Sequence, residues 1–284
     1  MNLHSKLKVP IVTIGLVSLY VVAFYPVWKE LIIAWMVSDE YSHGVLILPI
    51  SGYLTWRKRT RLTKIPVSSS WSTFGLVAIS LIIYFFGKYA EIKTVAWLSL
   101  VLFIFGAVIF LFGLDIAKEL IFPLIFLFFM IPIPAQIYSQ ITLPLQLLVT
   151  KSSVWFISAL GFSVYSEGNM IHLADRSLEV AQACSGLRSM ISILPMTALL
   201  GYLTLQSNLL RLILLISGIP VAILINVVRI IVLIFALEFL KVDLTRGGGH
   251  TVFGMILFGI SLLLILFARG VLKLWDKSTA EKSL

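Results

Sequence analysis

The stretch Leu209–Arg229, LLRLILLISGIPVAILINVVR, decides how this chain folds. Its 21 residues include only two charges, Arg211 and Arg229. At about 1.5 Å per residue a helix of this length rises about 30 Å, the thickness of a bilayer's hydrocarbon core. The stretch therefore reads as a membrane span with a guanidinium at its far end.

The same pattern recurs along the chain. Candidate spans lie at about 9–28, 41–56, 71–89, 94–114, 117–133, 187–206, 209–229 and 251–270. The whole chain of 284 residues is 60% hydrophobic and only 12% charged, about half the charge of a soluble domain. This predicts an all-α polytopic membrane protein of about eight transmembrane helices. No long polar linker divides it, so residues 1–284 are expected to form one transmembrane domain. Lys6 and Lys8 precede the first apolar run, which reads as an uncleaved anchor because no small-residue cleavage site follows it.

The net charge of +9 does not point to nucleic acid, because the basic residues are scattered among loops and form no phosphate-tracking face. They set an orientation instead. Arg57, Lys58, Arg59, Arg61 and Lys64 follow the second expected span, and Arg269, Lys273, Lys277 and Lys282 follow the last. With Lys6 and Lys8 they share one face if the spans are even in number. That face is the cytoplasm, with both termini on it and the chain in the cytoplasmic (inner) membrane.

Residues 134–183 differ in kind. Pro132 and Pro134 end a helix. Residues 136–160 read as an interfacial or re-entrant helix broken at Pro144. Val164-Tyr165-Ser166 and Met170-Ile171-His172-Leu173 flank Glu167-Gly168-Asn169 as a hairpin, and Asp175-Arg176-Ser177 makes a second turn before Leu178-Glu179-Val180. A small extracytoplasmic β element thus leads to Cys184, the single cysteine of the chain.

Cys184, Arg229 and His250 fall at one height. From a cytoplasmic turn near Gln206-Ser207-Asn208, Cys184 is about 33 Å up one helix and Arg229 about 32 Å up the next. His250 stands about 29 Å above Arg269. Ser185-Gly186 fits a helix start, which would set the Cys184 sulfur beside free N–H groups and lower the thiol's pKa. Gly247-Gly248-Gly249 permits a sharp turn that presents His250 at another helix start, where the dipole favours the neutral imidazole a general base needs. Arg229 would steady an oxyanion or bind a carboxylate. Each residue also has an ordinary reading: Cys184 as small apolar filler, His250 as an interfacial residue, Arg229 as a snorkelling side chain. Their shared height brings the catalytic reading level with the ordinary ones. Arg188, one turn into its helix, is a second anion contact or a snorkelling group. His43, in Tyr41-Ser42-His43-Gly44, is an interfacial cap or a substrate contact. His172 and His4 read as solvated. Four scattered histidines and one cysteine give no support for a zinc site, and no cofactor is implied.

These residues resemble the exosortase/archaeosortase family of polytopic membrane enzymes. The resemblance rests on Ala183-Cys184-Ser185-Gly186, Asn226-Val227-Val228-Arg229 and His250-Thr251-Val252-Phe253-Gly254, with Tyr41-Ser42-His43-Gly44 and Ile131-Pro132-Ile133-Pro134 upstream. It implies a thiol peptidase-transpeptidase acting at the outer face on exported proteins. Their carboxy-terminal tag has a Pro-Glu-Pro-like motif, a transmembrane helix and a basic tail. By that match Cys184 is the nucleophile, His250 the base or acid, and Arg229 the transition-state or substrate ligand. Ser185, Asn226, Arg188 and His43 are candidates for substrate binding. Some relatives carry an extra extracytoplasmic domain, expected here from a separate accessory protein. Two rival readings are a rhomboid-like serine protease using Ser185 and His250, weakened because Ala183 stands where Gly-x-Ser-Gly needs glycine, and an anion transporter using Arg229 and Arg188.

Overall fold

The computed structural model describes residues 3–68, 71–173, 176–180, 186–238 and 247–281. The helices are α1 (Leu3–Val37), α2 (Gly44–Arg57), α3 (Arg59–Leu62), α4 (Phe74–Tyr89), α5 (Lys93–Phe112), α6 (Leu114–Glu119), α7 (Ile121–Phe126), α8 (Ala135–Ala159), α9 (Leu187–Thr204), α10 (Asn208–Glu238) and α11 (Gly247–Glu281). Three short strands, β1 (Tyr165–Glu167), β2 (Met170–His172) and β3 (Ser177–Glu179), lie between α8 and α9. Among the described residues seven helical segments are long and apolar enough to cross a membrane: Val17–Val37, Trp71–Tyr89, Lys93–Phe112, Ala135–Ala159, Leu187–Thr204, Asn208–Glu238 and Thr251–Asp276. The chain is an all-α multi-pass membrane protein with a small sheet. It divides into two compact units, 1–134 and 135–284.

In the first unit α4 and α5 form a tight antiparallel pair. A Cβ at Gly87 would fall 2.7 Å from the Ala96 nitrogen, and one at Gly106 would fall 3.1 Å from the Leu76 carbonyl carbon. Small residues at both ends let the backbones approach where lipid offers no hydrophobic drive. α1 packs on α5 through a cluster of Tyr20, Phe24, Tyr84 and Phe103.

Two expected spans are shorter than anticipated. The stretch 41–56 becomes α2, of 14 residues. The stretch 117–133 is broken into α6, α7 and a 3-10 turn, Leu127–Met130. The physical reason is Pro123, which cannot donate to the Glu119 carbonyl four residues back. The Lys58 ammonium takes that carbonyl instead and pairs with the Glu119 carboxylate at 3.0 Å. Ser51 Oγ donates to the Pro123 carbonyl at 2.8 Å, so α2 and the broken segment zip together side by side. By contrast, α8 passes through Pro144 without a break. The expected interfacial helix is one continuous helix, long enough to span.

In the second unit α9 and α10 pack antiparallel in one register. Gly186 meets Asn226, Ile193 meets Gly218, and Gly201 meets Arg211. At the base, Asp276 of α11 accepts the N–H of Gln206 at 2.7 Å and of Ser207 at 3.1 Å. These amides precede the first turn of α10, where backbone N–H groups lack helical partners and the dipole favours an anion. That explains how a carboxylate only 9% exposed is tolerated. The strands form an antiparallel meander, with Tyr165 opposite His172 and Met170 opposite Glu179. Gly168, at φ +60, makes the tight turn. Ile171 and Val180 are buried against Val149 and Ile157 of α8 and Ile230–Ile234 of α10.

Asp276→Ala is expected to lower the unfolding free energy by about 1.5–3 kcal/mol, the range for hydrogen bonds to a charged group. Asp276→Asn, which keeps one acceptor, is expected to lose less. Thermal unfolding of the purified protein in detergent checks both; equal stability of Asp276→Ala and the parent would refute the clamp.

Candidate functional site

Arg229 and Asn226 lie three residues apart on α10 and therefore share one face. Asn226 is 2% exposed and Arg229 is half-buried. Asn226 meets the start of α9, and Arg229 meets α11 about two turns in. The Asn226 side chain lies against Gly186, where an added Cβ would fall 3.2 Å from Asn226 Cβ. The Arg229 guanidinium lies over Gly254, where an added Cβ would fall 3.0 Å from Nη2. Gly254 is one turn beyond His250 on α11, and Gly186 comes two residues after Cys184.

Helix lengths explain why these levels match. Gly254 stands 22 residues before Asp276, and Arg229 stands 22 residues after Ser207. Both are therefore about 33 Å above the clamp. Gly186 and Asn226, and Arg229 and Gly254, therefore meet at matching levels, while the equal height expected for Cys184, Arg229 and His250 falls in part outside the described residues. Cys184 and Ser185 lie outside the described residues, as does the His250 side chain.

The two helix starts differ from each other. Gly186 caps α9 with φ +85, ψ −11. This left-handed backbone costs a residue with Cβ roughly 1–2 kcal/mol, and here a Cβ would also crowd Asn226. The helix start expected at Ser185-Gly186 is therefore present, and glycine is required there on two counts. At the other start the expected sharp turn is absent. Gly247, Gly248 and Gly249 form the first turn of α11, and the backbone of His250 is already helical. In the first turn of α9, Arg188 is partly buried. The positive end of α9 favours an anion at this level.

His43 belongs to the first unit. Its Nδ1 lies 3.1 Å from the Glu40 carbonyl and its Nε2 lies 3.2 Å from the Phe129 carbonyl. Both nitrogens are thus turned to backbone. Trp35 Nε1 donates to the Met130 carbonyl at 2.8 Å, and the Ile133 N–H donates to Tyr41 Oη at 3.2 Å. The Tyr41–Gly44 and Ile131–Pro134 motifs are therefore one packed junction. Burial pushes the His43 imidazole below its ordinary 6.5, against the smaller opposing effect of the two carbonyls. His172 is not free in solvent: it stacks on Tyr165 at 4.6 Å and its Nδ1 lies 2.7 Å from Ser177 Oγ.

A cavity of about 170 Å³ lies between Ile157, Phe162, Leu173, Ile234, Phe235 and Glu238. Glu238 comes nine residues after Arg229, about half a turn around α10. The cavity is thus on the other side of the helix from the Asn226–Arg229 face. Among the described residues no group of three His, Cys, Asp or Glu side chains is placed to hold a metal ion.

The sequence reading passed over Gln146, whose Nε2 donates to the Val180 carbonyl at 2.9 Å. The available signal was a polar stripe at helical spacing, Thr142, Gln146, Thr150 and Ser153, all buried on α8.

The family model described as Transmembrane exosortase (Exosortase_EpsH) matches residues 35–267. No curated protein and no solved structure matches the chain.

Two outcomes follow from the geometry. Gly186→Ala is expected to cost at least about 1–2 kcal/mol in unfolding free energy, whereas Gly248→Ala, where a Cβ meets nothing within 4 Å, is expected to be neutral or stabilising. For His43 the depressed pKa means that the unfolded chain binds the proton more readily. Its stabilising contribution is present above 6.5 and is lost as pH falls below that value. The drop in unfolding temperature between pH 7.5 and 5 should be smaller in His43→Gln than in the parent; equal drops would refute the assignment.

Proposed function

Because the chain belongs to the transmembrane exosortase family, we propose that it is a membrane cysteine peptidase or transpeptidase. It cuts the carboxy-terminal sorting tag of exported proteins at the outer face of the cytoplasmic membrane. The observation that carries this reading is the double contact of α10: Asn226 on Gly186, two residues past the only cysteine, and Arg229 on Gly254, one turn past His250.

The chemistry follows from the residue types. The Cys184 thiolate, favoured by the positive end of α9 and nearby guanidinium charge, attacks the scissile carbonyl carbon. The oxyanion that forms is met by Arg229 and by N–H groups of the first α9 turn. His250 in its protonated form gives a proton to the departing amine, the C–N bond breaks, and a thioester remains on Cys184. Water or an acceptor amine or hydroxyl then loses a proton to His250 and attacks the thioester, releasing the thiolate. Asn226, Ser185 and Arg188 bind substrate around this centre. No cofactor enters.

The basic loop 57–64 and the basic end of α11 face the cytoplasm in this reading, and the three-stranded sheet faces outward. α8 then does not cross, although its length permits it. Its Gln146 sits beside Val180, and its Ile157 packs with Ile230–Ile234, past Arg229 on α10. The partners in this reading are the tagged substrates and the bilayer.

Co-expression with a tagged substrate tests the site. Cys184→Ala and His250→Ala are expected to abolish processing, and Arg229→Lys to lower it by at least about 100-fold, because lysine lacks the planar fork of donors. Ser185→Ala should keep most activity. A processing-competent Cys184→Ala alongside an inactive Ser185→Ala would turn the assignment to a serine protease. Full processing by Cys184→Ala, His250→Ala and Arg229→Lys would remove the site altogether. Orientation has its own measurement: in a Cys184→Ser background, an impermeant thiol reagent should label a cysteine placed at 168 in intact cells and leave one at 61 unlabelled.

A further inference from the structure

We infer that Gln146 is a positioning residue for the nucleophile, holding the strand that leads to Cys184 at a fixed place on α8. The inference rests on the proposed role of Cys184. Gln146 is 5% exposed within the buried polar stripe of α8, and its Nε2 donates to the Val180 carbonyl at 2.9 Å. Val180 is itself 2% exposed, and its N–H donates to the Asn169 carbonyl at 2.9 Å. Asn169 Nδ2 also reaches the Val180 carbonyl, at 3.4 Å, a weaker approach. Val180 is thus held from both sides, four residues before Cys184.

The opposite end of the same short connection is held as well. Gly186 is seated against Asn226, so only residues 181–185 link two anchored points. Fixing both ends of so short a link restricts where Cys184 can stand. α8 also contacts the second anchor: Ser153, fully buried, directs its hydroxyl to the Val227 carbonyl at 3.5 Å, next to Asn226. Gln146 and Ser153 are seven residues apart, two turns along one helix face. One face of α8 therefore relates the lead-in strand to the α10 turn that carries Asn226 and Arg229.

A leucine at 146 would satisfy packing alone and would avoid burying an amide, which is unfavourable unless paired. What the amide adds is direction: a donor aimed at one backbone carbonyl fixes strand register relative to the helix. A loss of that register displaces the sulfur from the carbonyl it attacks, and misplacement by about 1 Å costs on the order of 100-fold in rate.

Because Cys184 is the only cysteine, alkylation by iodoacetamide reads its environment without background. Gln146→Leu is expected to lower kcat for tag cleavage by roughly 10- to 100-fold with KM nearly unchanged. It should also move the pH midpoint of Cys184 alkylation up toward the value of about 8.5 for a free thiol. Gln146→Glu supplies a second, independent measurement. An ionised carboxylate cannot donate to a carbonyl, whereas the protonated acid can. The ratio of variant to parent activity should therefore rise toward one as pH is lowered from 8 to 5. Parent-like kcat and alkylation in Gln146→Leu would overturn the inference. If Gln146→Leu does not fold, a ratio for Gln146→Glu that is flat with pH overturns it instead. Processing by Cys184→Ala would remove the proposed function and this inference together; an inactive Cys184→Ala with a parent-like Gln146→Leu removes the inference alone.

Discussion

A carboxylate buried against two backbone amides sets the height of the helices above it. Asp276 binds the N–H groups of Gln206 and Ser207 just where α10 begins, and so joins the lower ends of α9, α10 and α11. A rigid helix converts a fixed lower end into a fixed upper end, because each residue adds a constant rise. The meeting of Arg229 with Gly254, and of Asn226 with Gly186, is that constancy read some twenty residues away. In a medium as apolar as the side chains themselves, burial does little to prevent one helix from sliding along another. A directional polar contact does.

Above the clamp, close approach is permitted by what is missing. Gly186 and Gly254 bring backbone to within contact of Asn226 and Arg229, and Gly218 brings α10 onto Ile193 and Thr197 of α9. The same device joins α4 to α5 through Gly87 and Gly106 in the first unit. At Gly186 backbone conformation adds to the demand for glycine, through its positive φ.

Polar groups in this apolar body are placed where backbone would otherwise go unmatched. Pro123 releases the Glu119 carbonyl, and Lys58 answers it. The end of the 3-10 turn exposes the Phe129 and Met130 carbonyls, and His43 and Trp35 answer those. The strand leading toward Cys184 ends on the Val180 carbonyl, which Gln146 meets. In each case a side chain far away in sequence completes a local backbone defect.

Much of this was legible in the residues themselves. Apolar runs of spanning length, the proline-ended segment before 135, the hairpin at Gly168 and the helix start at Gly186 all follow from local rules of hydropathy, turn chemistry and capping, which need no partner. Residue counts also set the height of Arg229 above the turn at Gln206-Ser207-Asn208, because helical rise is constant. What only the tertiary structure decided is how interrupted elements are completed. Whether Pro144 breaks α8 or Pro123 breaks the 114–130 segment cannot be read from the prolines, since each removes the same donor. The outcome depends on the carbonyl thus released and on what reaches it: at Glu119 it is Lys58, 61 residues away in the chain. The glycine run at 247–249 likewise permits a turn or a helix equally well, and it is helical here as the first turn of α11. The facing of Asn226 toward α9 and of Arg229 toward α11, and of Gln146 toward Val180, belongs to the same class. Rotation of a helix about its axis is set by which neighbours it packs against, and sequence periodicity in an all-apolar helix leaves that angle open.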